Sequence, residues 1–339
     1  MLLNYIKQRN EILIHADVEP YIYACAHIAT SMMSDFASKW YGGYSNDHLI
    51  LKSTYDVIRQ IKPEKDDTIT TAPLLNIITS RNTGTVYTAD TSGGIIVIKK
   101  CMINEITICE SIAMITIDHP NIMSATCCIR DDYMYLRMEL MDHSLSREIY
   151  RTHSLKAGMQ RFEHVWILHK MSPFDIISNN TRRKYARQIL CGLSHLKSLN
   201  ILHRDIKPDN ILISLSGDAR ISDFGLCTHT NSSTLLDVYT PSYRDINILT
   251  ASVSSYSHEA DIWAAGILFL EMETGCLPLR LELINSIQSI IACAYEVHGR
   301  QCEREFMCIE DMNFRKLCRR MLSLSGENRL TADECLLSL

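Results

Sequence analysis

Asp205, Lys207, Asn210 and Asp223 are residue types that could do chemistry together. Two carboxylates and an amide oxygen make an all-oxygen set suited to Mg²⁺, which takes few protein ligands and keeps phosphate and water as the others. The ammonium is compact positive charge for a phosphate. A carboxylate left off the metal can orient a hydroxyl. Such a set suits phosphoryl transfer, where positioning and charge neutralisation carry most of the catalysis. The element that must assemble it is local. Ile211–Ile213 and Ala219–Ile221 read as short strands around a polar Ser-Gly-Asp turn, which is a hairpin signal. Asp205, Lys207 and Asn210 precede this hairpin and Asp223 follows it, so its closure predicts their convergence.

The run His203-Arg204-Asp205-Ile206-Lys207-Pro208-Asp209-Asn210, followed by Asp223-Phe224-Gly225, resembles the catalytic loop and magnesium motif of eukaryotic-type protein kinases. Many defined positions occur at the right spacing, so the match is specific. Lys207, two residues after Asp205, resembles the Ser/Thr class. The resemblance implies an α+β, two-lobed kinase fold with a small antiparallel-sheet lobe and a larger helical lobe. It also implies ATP and Mg²⁺ as cofactors and protein Ser or Thr hydroxyls as substrates. Carried over residue by residue, it makes Asp205 the group that orients the hydroxyl and accepts its proton. Asn210 and Asp223 become the metal ligands, and Lys207 faces the γ-phosphate.

Upstream, Leu74 to Thr79, Thr85 to Ala89 and Ile95 to Lys99 read as three strands, the last two joined by a turn at Thr91-Ser92-Gly93-Gly94. Ile96-Val97-Ile98-Lys99 is similar to the strand motif whose lysine holds the α/β-phosphates. Alternation puts Lys99 on the face of Val97 and turns Lys100 away. A helix is expected over Asn104 to Ile117, ended by His119-Pro120. Counting back from that pair as in the family selects Glu110 as the partner of Lys99, with Glu105 as competitor. The family's glycine-rich loop is reduced here to Thr79-Ser80-Arg81-Asn82-Thr83-Gly84-Thr85-Val86, with Gly84 alone kept and Val86 placed to cover the adenine. Ser124 to Arg130 and Tyr133 to Leu140 complete the lobe. Met138-Glu139-Leu140-Met141 resembles the hinge, where backbone groups of Glu139 and Met141 would hold the adenine edge.

A helical stripe over Arg182 to Leu199 leads into the catalytic loop. Tyr239-Thr240-Pro241-Ser242-Tyr243-Arg244 looks like the substrate-binding end of cyclin-dependent and related kinases, with Thr240 expected beside Asp205 and Lys207. Where the family has Ala-Pro-Glu this chain has Asp245-Ile246-Asn247. The usual glutamate partner of Arg329 is therefore missing, and either Asp245 substitutes or the site is partly solvated. Asp261-Ile262-Trp263 resembles the buried helix whose aspartate braces the catalytic loop. In the family that the motifs resemble, an arginine before the catalytic aspartate, here Arg204, commonly pairs with a phosphorylated residue. On that resemblance Thr234, then Ser233, are candidates for activating phosphorylation; the alternative is a segment ordered without modification.

The expected organisation is a helical N-terminal extension over 1–67, a small lobe over 68–138, a hinge over 139–142 and a large lobe over 143–339, with an insert at 153–172. The extension carries apolar residues at helical spacing in Tyr5 to Ile14, Tyr21 to Trp40 and Leu49 to Ile61. It either packs on the catalytic domain or engages a regulatory partner. The chain has 339 residues, 46% hydrophobic and 22% charged, and a net charge of -5, which argues against nucleic acid. No apolar run approaches a membrane span. The 13 cysteines form no Cys-x-x-Cys pair, and no secretory signal is visible. A reducing compartment follows, cytoplasm or nucleus (of a host cell, if the compressed chain belongs to a large DNA virus). His298, Cys302 and Cys308 fit no common zinc spacing. Two rivals remain. A pseudokinase acting as a scaffold would suit the reduced glycine loop and Asn247. A small-molecule kinase of similar fold is disfavoured by Thr240 to Arg244.

Overall fold

Alternating apolar residues before and after Gly84 and Gly94 set up antiparallel strands. The computed structural model describes residues 74–81, 84–91, 94–103, 105–130, 133–154, 177–229, 240–250, 253–275 and 309–339, with Leu277 and Phe306. β1 (Leu74–Arg81), β2 (Gly84–Thr91) and β3 (Gly94–Met102) pair in sequence order. β4 (Ala125–Arg130) and β5 (Tyr133–Met138) follow, giving the sheet order β1-β2-β3-β5-β4. The last strand stops at Met138 rather than at Leu140. Its ladders to β3 and β4 both run out there, at Val97↔Met138 and Ala125↔Met138. α1 (Glu105–Thr116) begins with Thr107 donating to the Met102 carbonyl at 2.7 Å and buries Glu110, Ser111, Ala113 and Met114.

Two compact units divide the chain. Residues up to Leu140 with Asp223–His229 form one, and Met141–Ser222 with Thr230–Leu339 form the other. The expectations for 1–67, for 155–172 of the insert, for Ser232 to Thr234 and for His298, Cys302 and Cys308 lie outside the described residues. Among the described residues no helix is long and apolar enough to cross a membrane.

In the second unit the order is β6 (His143–Ser144), α2 (Leu145–Ser154), α3 (Asn179–Ser198), β7 (Ile201–Leu202), β8 (Ile211–Ile213), β9 (Ala219–Ile221), α4 (Ile246–Leu249), α5 (Glu259–Thr274), α6 (Met312–Met321) and α7 (Ala332–Leu337). The expected hairpin is β8–β9, paired Ile211↔Ile221 and Ile213↔Ala219, with β6 added on its β8 edge. Its turn needs Gly217 at φ 77.

α3 starts three residues before Arg182 because Ser178 caps it, its hydroxyl accepting from the Thr181 N–H at 3.2 Å. Tyr185, Ile189, Leu193 and Leu196 form its buried stripe. α6 likewise starts at Met312, capped by Asp311, and not at Arg315. α5 is buried from Ala260 to Thr274, and each large apolar side chain on it contributes roughly 1.5–3 kcal/mol. Its Gly266 lets α6 approach, since a Cβ there would stand 2.9 Å from Leu322.

Candidate functional site

In the first unit the alternation of β3 turns Lys99 inward and Lys100 outward. Lys99 Nζ donates to Glu110 Oε1 at 2.5 Å and Oε2 at 2.6 Å, both residues buried. Lys100 instead sits over the Tyr133 ring, 4.2 Å from its centroid. Burial pushes the Glu110 carboxyl up, Lys99 opposes that rise, and the Asp223 carboxylate adds to it. Lys99 is thus the neighbour that favours the charged form of Glu110 against burial. Asp223 has φ 64, a left-handed backbone that Asp tolerates better than most residues, and Phe224 beside it is fully buried.

Val86 lies opposite Lys99 in the β2–β3 register and is half-buried. Gly84 has a reason of its own. At φ 139, a Cβ there would stand 2.6 Å from the Lys100 carbonyl oxygen and 2.9 Å from Cys101 Cβ. The close approach of β2 to β3 therefore requires a glycine at this position. Gly84→Ala is expected to lower stability by roughly 1–3 kcal/mol, read as a drop in the thermal unfolding midpoint of the intact chain. Glu139 is exposed, and Met141, the first residue of the second unit, is half-buried.

In the second unit one buried carboxylate fixes the catalytic-loop backbone. Asp261 Oδ2 accepts from the His203 N–H at 2.8 Å and Oδ1 from the Arg204 N–H at 2.9 Å. Arg204 is held at φ 66. The His203 ring is a second brace that the sequence reading missed. Its Nδ1 accepts from the Asp205 N–H at 3.2 Å, so its proton belongs on Nε2, which donates to the Ser222 carbonyl at 3.0 Å. Ser222 N–H and Oγ both donate to the Asn210 carbonyl, at 2.8 and 3.0 Å, and staple the two ends of the β8–β9 hairpin.

Asp205 is the hub. Thr240 Oγ1 donates to Oδ1 at 2.7 Å, while Lys207 Nζ and Asn210 Nδ2 each donate to Oδ2 at 2.7 Å. Lys207 also donates to Thr240 Oγ1 at 2.8 Å. Burial disfavours ionisation of Asp205. The hydrogen bonds from Lys207 and Thr240, with the Lys207 charge, outweigh it and leave the carboxyl below the usual carboxylate range. Asn210 spends both amide hydrogens on Asp205, on Oδ2 and on its backbone carbonyl at 2.8 Å, which orients its own side-chain oxygen as an acceptor. An amide oxygen fixed in this way is a ligand type that suits Mg²⁺, as is a carboxylate such as that of Asp223 in the first unit.

The missing glutamate is replaced by Asp245. Arg329 Nη1 donates to Asp245 Oδ2 at 2.5 Å, and both side chains are buried. The guanidinium also bonds the Glu259 and Ser323 carbonyls and stacks 4.9 Å from the Trp263 ring centroid. Asp245 Oδ1 meanwhile caps α4, accepting from the Asn247 N–H at 2.9 Å. Asn247 turns to the Leu324 carbonyl instead, at 2.7 Å. A further buried carboxylate, Glu271, accepts from Tyr243 at 2.6 Å and from Tyr150. Burial and the Glu271 charge push the Tyr243 hydroxyl far above its ordinary value, so it stays a donor. A glutamate inside the apolar run of α5 was the only sequence signal for that cluster.

A sequence model described as "Protein kinase domain" matches residues 80–338. Mitogen-activated protein kinase 10 of Arabidopsis thaliana is 28% identical over 208 residues, which cover 52% of this chain and 53% of that protein. Serine/threonine-protein kinase pakA of Talaromyces marneffei is 38% identical over 114 residues, 32% of this chain and 17% of that protein. Mitogen-activated protein kinase kinase kinase 3 of Arabidopsis thaliana is 39% identical over 97 residues, 28% of this chain and 16% of that protein. The matched stretch thus spans about half of the first of these relatives and less of the others.

Proposed function

This chain belongs to the protein kinase domain family, and from that premise we propose that it transfers the γ-phosphoryl group of ATP to Ser or Thr hydroxyls of proteins. The observation that carries the reading is Asp205, a buried carboxylate kept ionised by Lys207, Thr240 and Asn210. In this reading Asp205 accepts a hydrogen bond from the substrate hydroxyl and then its proton. Lys207, already beside Asp205, meets the γ-phosphoryl charge. Lys99, locked by Glu110, binds the α/β-phosphates. Mg²⁺ held by Asn210 and Asp223 would supply charge neutralisation on the transferring phosphate. Glu139 and Met141 offer backbone groups to the adenine and Val86 an apolar cover. Cys101, Cys318 and Cys335 are free and buried, which supports a reducing compartment such as cytoplasm or nucleus.

The test is radiolabelled ATP transfer to a degenerate peptide library, wild type beside Asp205→Asn. Label on Ser and Thr peptides from wild type and none from the variant is the expected result. Nucleotide binding without transfer by the wild type would make the chain a binding module instead. The reduced glycine loop adds a second expectation. Thr79→Gly with Arg81→Gly lets the loop backbone approach phosphate, so KM for ATP should fall several-fold with kcat little changed. Steady-state kinetics read both constants, and an unchanged KM would show a loop rebuilt around its present side chains.

A further inference from the structure

β6 follows closely on Met141, whose backbone the proposed function offers to the adenine. Backbone bonds pin this stretch to β8. The Asp142 N–H donates to the Ile213 carbonyl at 2.9 Å, and His143 and Ser144 stand opposite Ile213 and Leu212. The His143 side chain adds a second fastening. Its Nδ1 lies 3.0 Å from Asp142 Oδ2, and its Nε2 lies 3.1 Å from Oε2 of Glu148, in the first turn of α2. The Tyr185 hydroxyl of α3 donates to the same Glu148 oxygen at 3.2 Å. Ionised carboxylates only accept, and a neutral imidazole has one N–H to give. A ring with one proton therefore sets a bare nitrogen lone pair against one of the two carboxylates. A ring protonated on both nitrogens satisfies Asp142 and Glu148 together, and each bond is then charge-assisted.

We propose that His143 is a positioning residue for the adenine edge, its doubly protonated ring fastening Asp142, and with it Met141, to α2. This role rests on the proposed function. The other charged and titratable groups around the ring are engaged elsewhere or turned to solvent. β8 presents only isoleucine and leucine to β6. Asp209, on the turn Pro208–Asn210 packed against β6 and α2, accepts from the Ser146 hydroxyl at 3.0 Å. Lys207, at the head of that turn, donates to Asp205 and Thr240. Arg147 is exposed on α2. Burial and the Glu148 charge push the Tyr185 hydroxyl up, so it stays a donor to Glu148. When the ring gives up one proton, the contact that goes is the one to Asp142. The Glu148 side chain is 26% exposed against 58% for Asp142, so an unmade bond costs more at Glu148. The adenine edge then keeps its backbone bonds to β8 without the side-chain fastening. Nucleotide affinity therefore falls as pH rises through the ring's own titration.

The test follows the ring and the nucleotide in one pH series on the intact chain. Nuclear magnetic resonance of protein with isotope-labelled histidine, His143→Gln identifying the resonances, reads the proton on each ring nitrogen. Calorimetry with Mg²⁺ and ATP reads affinity. Affinity should weaken roughly two- to five-fold, the scale of an exposed ion pair, with the midpoint at which one ring nitrogen loses its proton. Asp142→Asn is the discriminating variant. Its amide offers an oxygen to a protonated nitrogen and an N–H to a bare one, so it fastens the ring in either state. Its affinity should not follow the ring, and the ratio of wild type to variant cancels the titration of ATP itself. His143→Gln should bind at every pH as weakly as wild type does at the alkaline end. A ring that keeps a single proton throughout would overturn the proposal, as would an affinity ratio that does not move with the ring. No binding of ATP at any pH would overturn the proposed function and this role with it, while the ring spectra still show whether the double donor exists.

Discussion

Lys99→Met and Asp223→Ala are each expected to lower phosphotransfer by at least about 10²-fold, because each removes a preorganised charge aimed at phosphate. The Lys99 variant also separates catalysis from folding. Glu110 is buried and already pushed toward its neutral form, with Lys99 opposing that push. Without the lysine, burial and the Asp223 charge favour its neutral form unopposed. The chain should then stay folded while activity is lost. Lys99→Met combined with Glu110→Gln should match the single variant in activity and equal or exceed it in thermal stability. Steady-state kinetics alongside thermal melts check this, and full activity in either single variant would remove that residue from the proposed chemistry.

Asp245→Asn is expected to destabilise the chain by about 3–5 kcal/mol, the cost of leaving a buried cation without its partner. Asn retains an oxygen able to cap α4, and it is as good a cap as Asp. The substitution therefore isolates the ion pair with Arg329 from the cap on Asn247. Melting temperature should fall by roughly 10 °C. Adding Arg329→Met should recover part of the loss, since removing both charges is milder than removing one. A fall of less than about 1 kcal/mol in Asp245→Asn would show that the Glu259 and Ser323 carbonyls and the Trp263 ring satisfy Arg329 by themselves.

Local features were legible in the sequence. Strand alternation separated Lys99 from Lys100, the β8–β9 hairpin followed from its turn, and the spacing before His119-Pro120 selected Glu110 over Glu105. Thr240 stands on Asp205 and Lys207 as its motif implied. Helix starts were placed late at α3 and α6 because the apolar stripe begins a turn inside each helix, whereas Ser178 and Asp311 set the true ends. For Arg329 the sequence left two outcomes, since only the packed chain decides whether Asp245, two residues before the position of the family's glutamate, can reach it. Tyr150 and Glu271, and equally Tyr243 and Glu271, are joined by tertiary structure across long stretches of chain that no periodicity records. Gly84 carries a requirement that its motif does not record, because the backbone contact that excludes a Cβ exists only once β2 lies against β3.

Asp261 gives the catalytic loop its shape by accepting two consecutive backbone amides from within a helix buried along nearly its whole length. A loop held from inside the core has no working conformation of its own to fall back on. On the proposed function, a chain in which α5 has not docked is expected to be inactive rather than indiscriminately active. On heating the same dependence runs backwards. Loss of turnover should begin with loosening of α5, ahead of general unfolding, and residual activity becomes a sensitive gauge of how much of the large unit is intact.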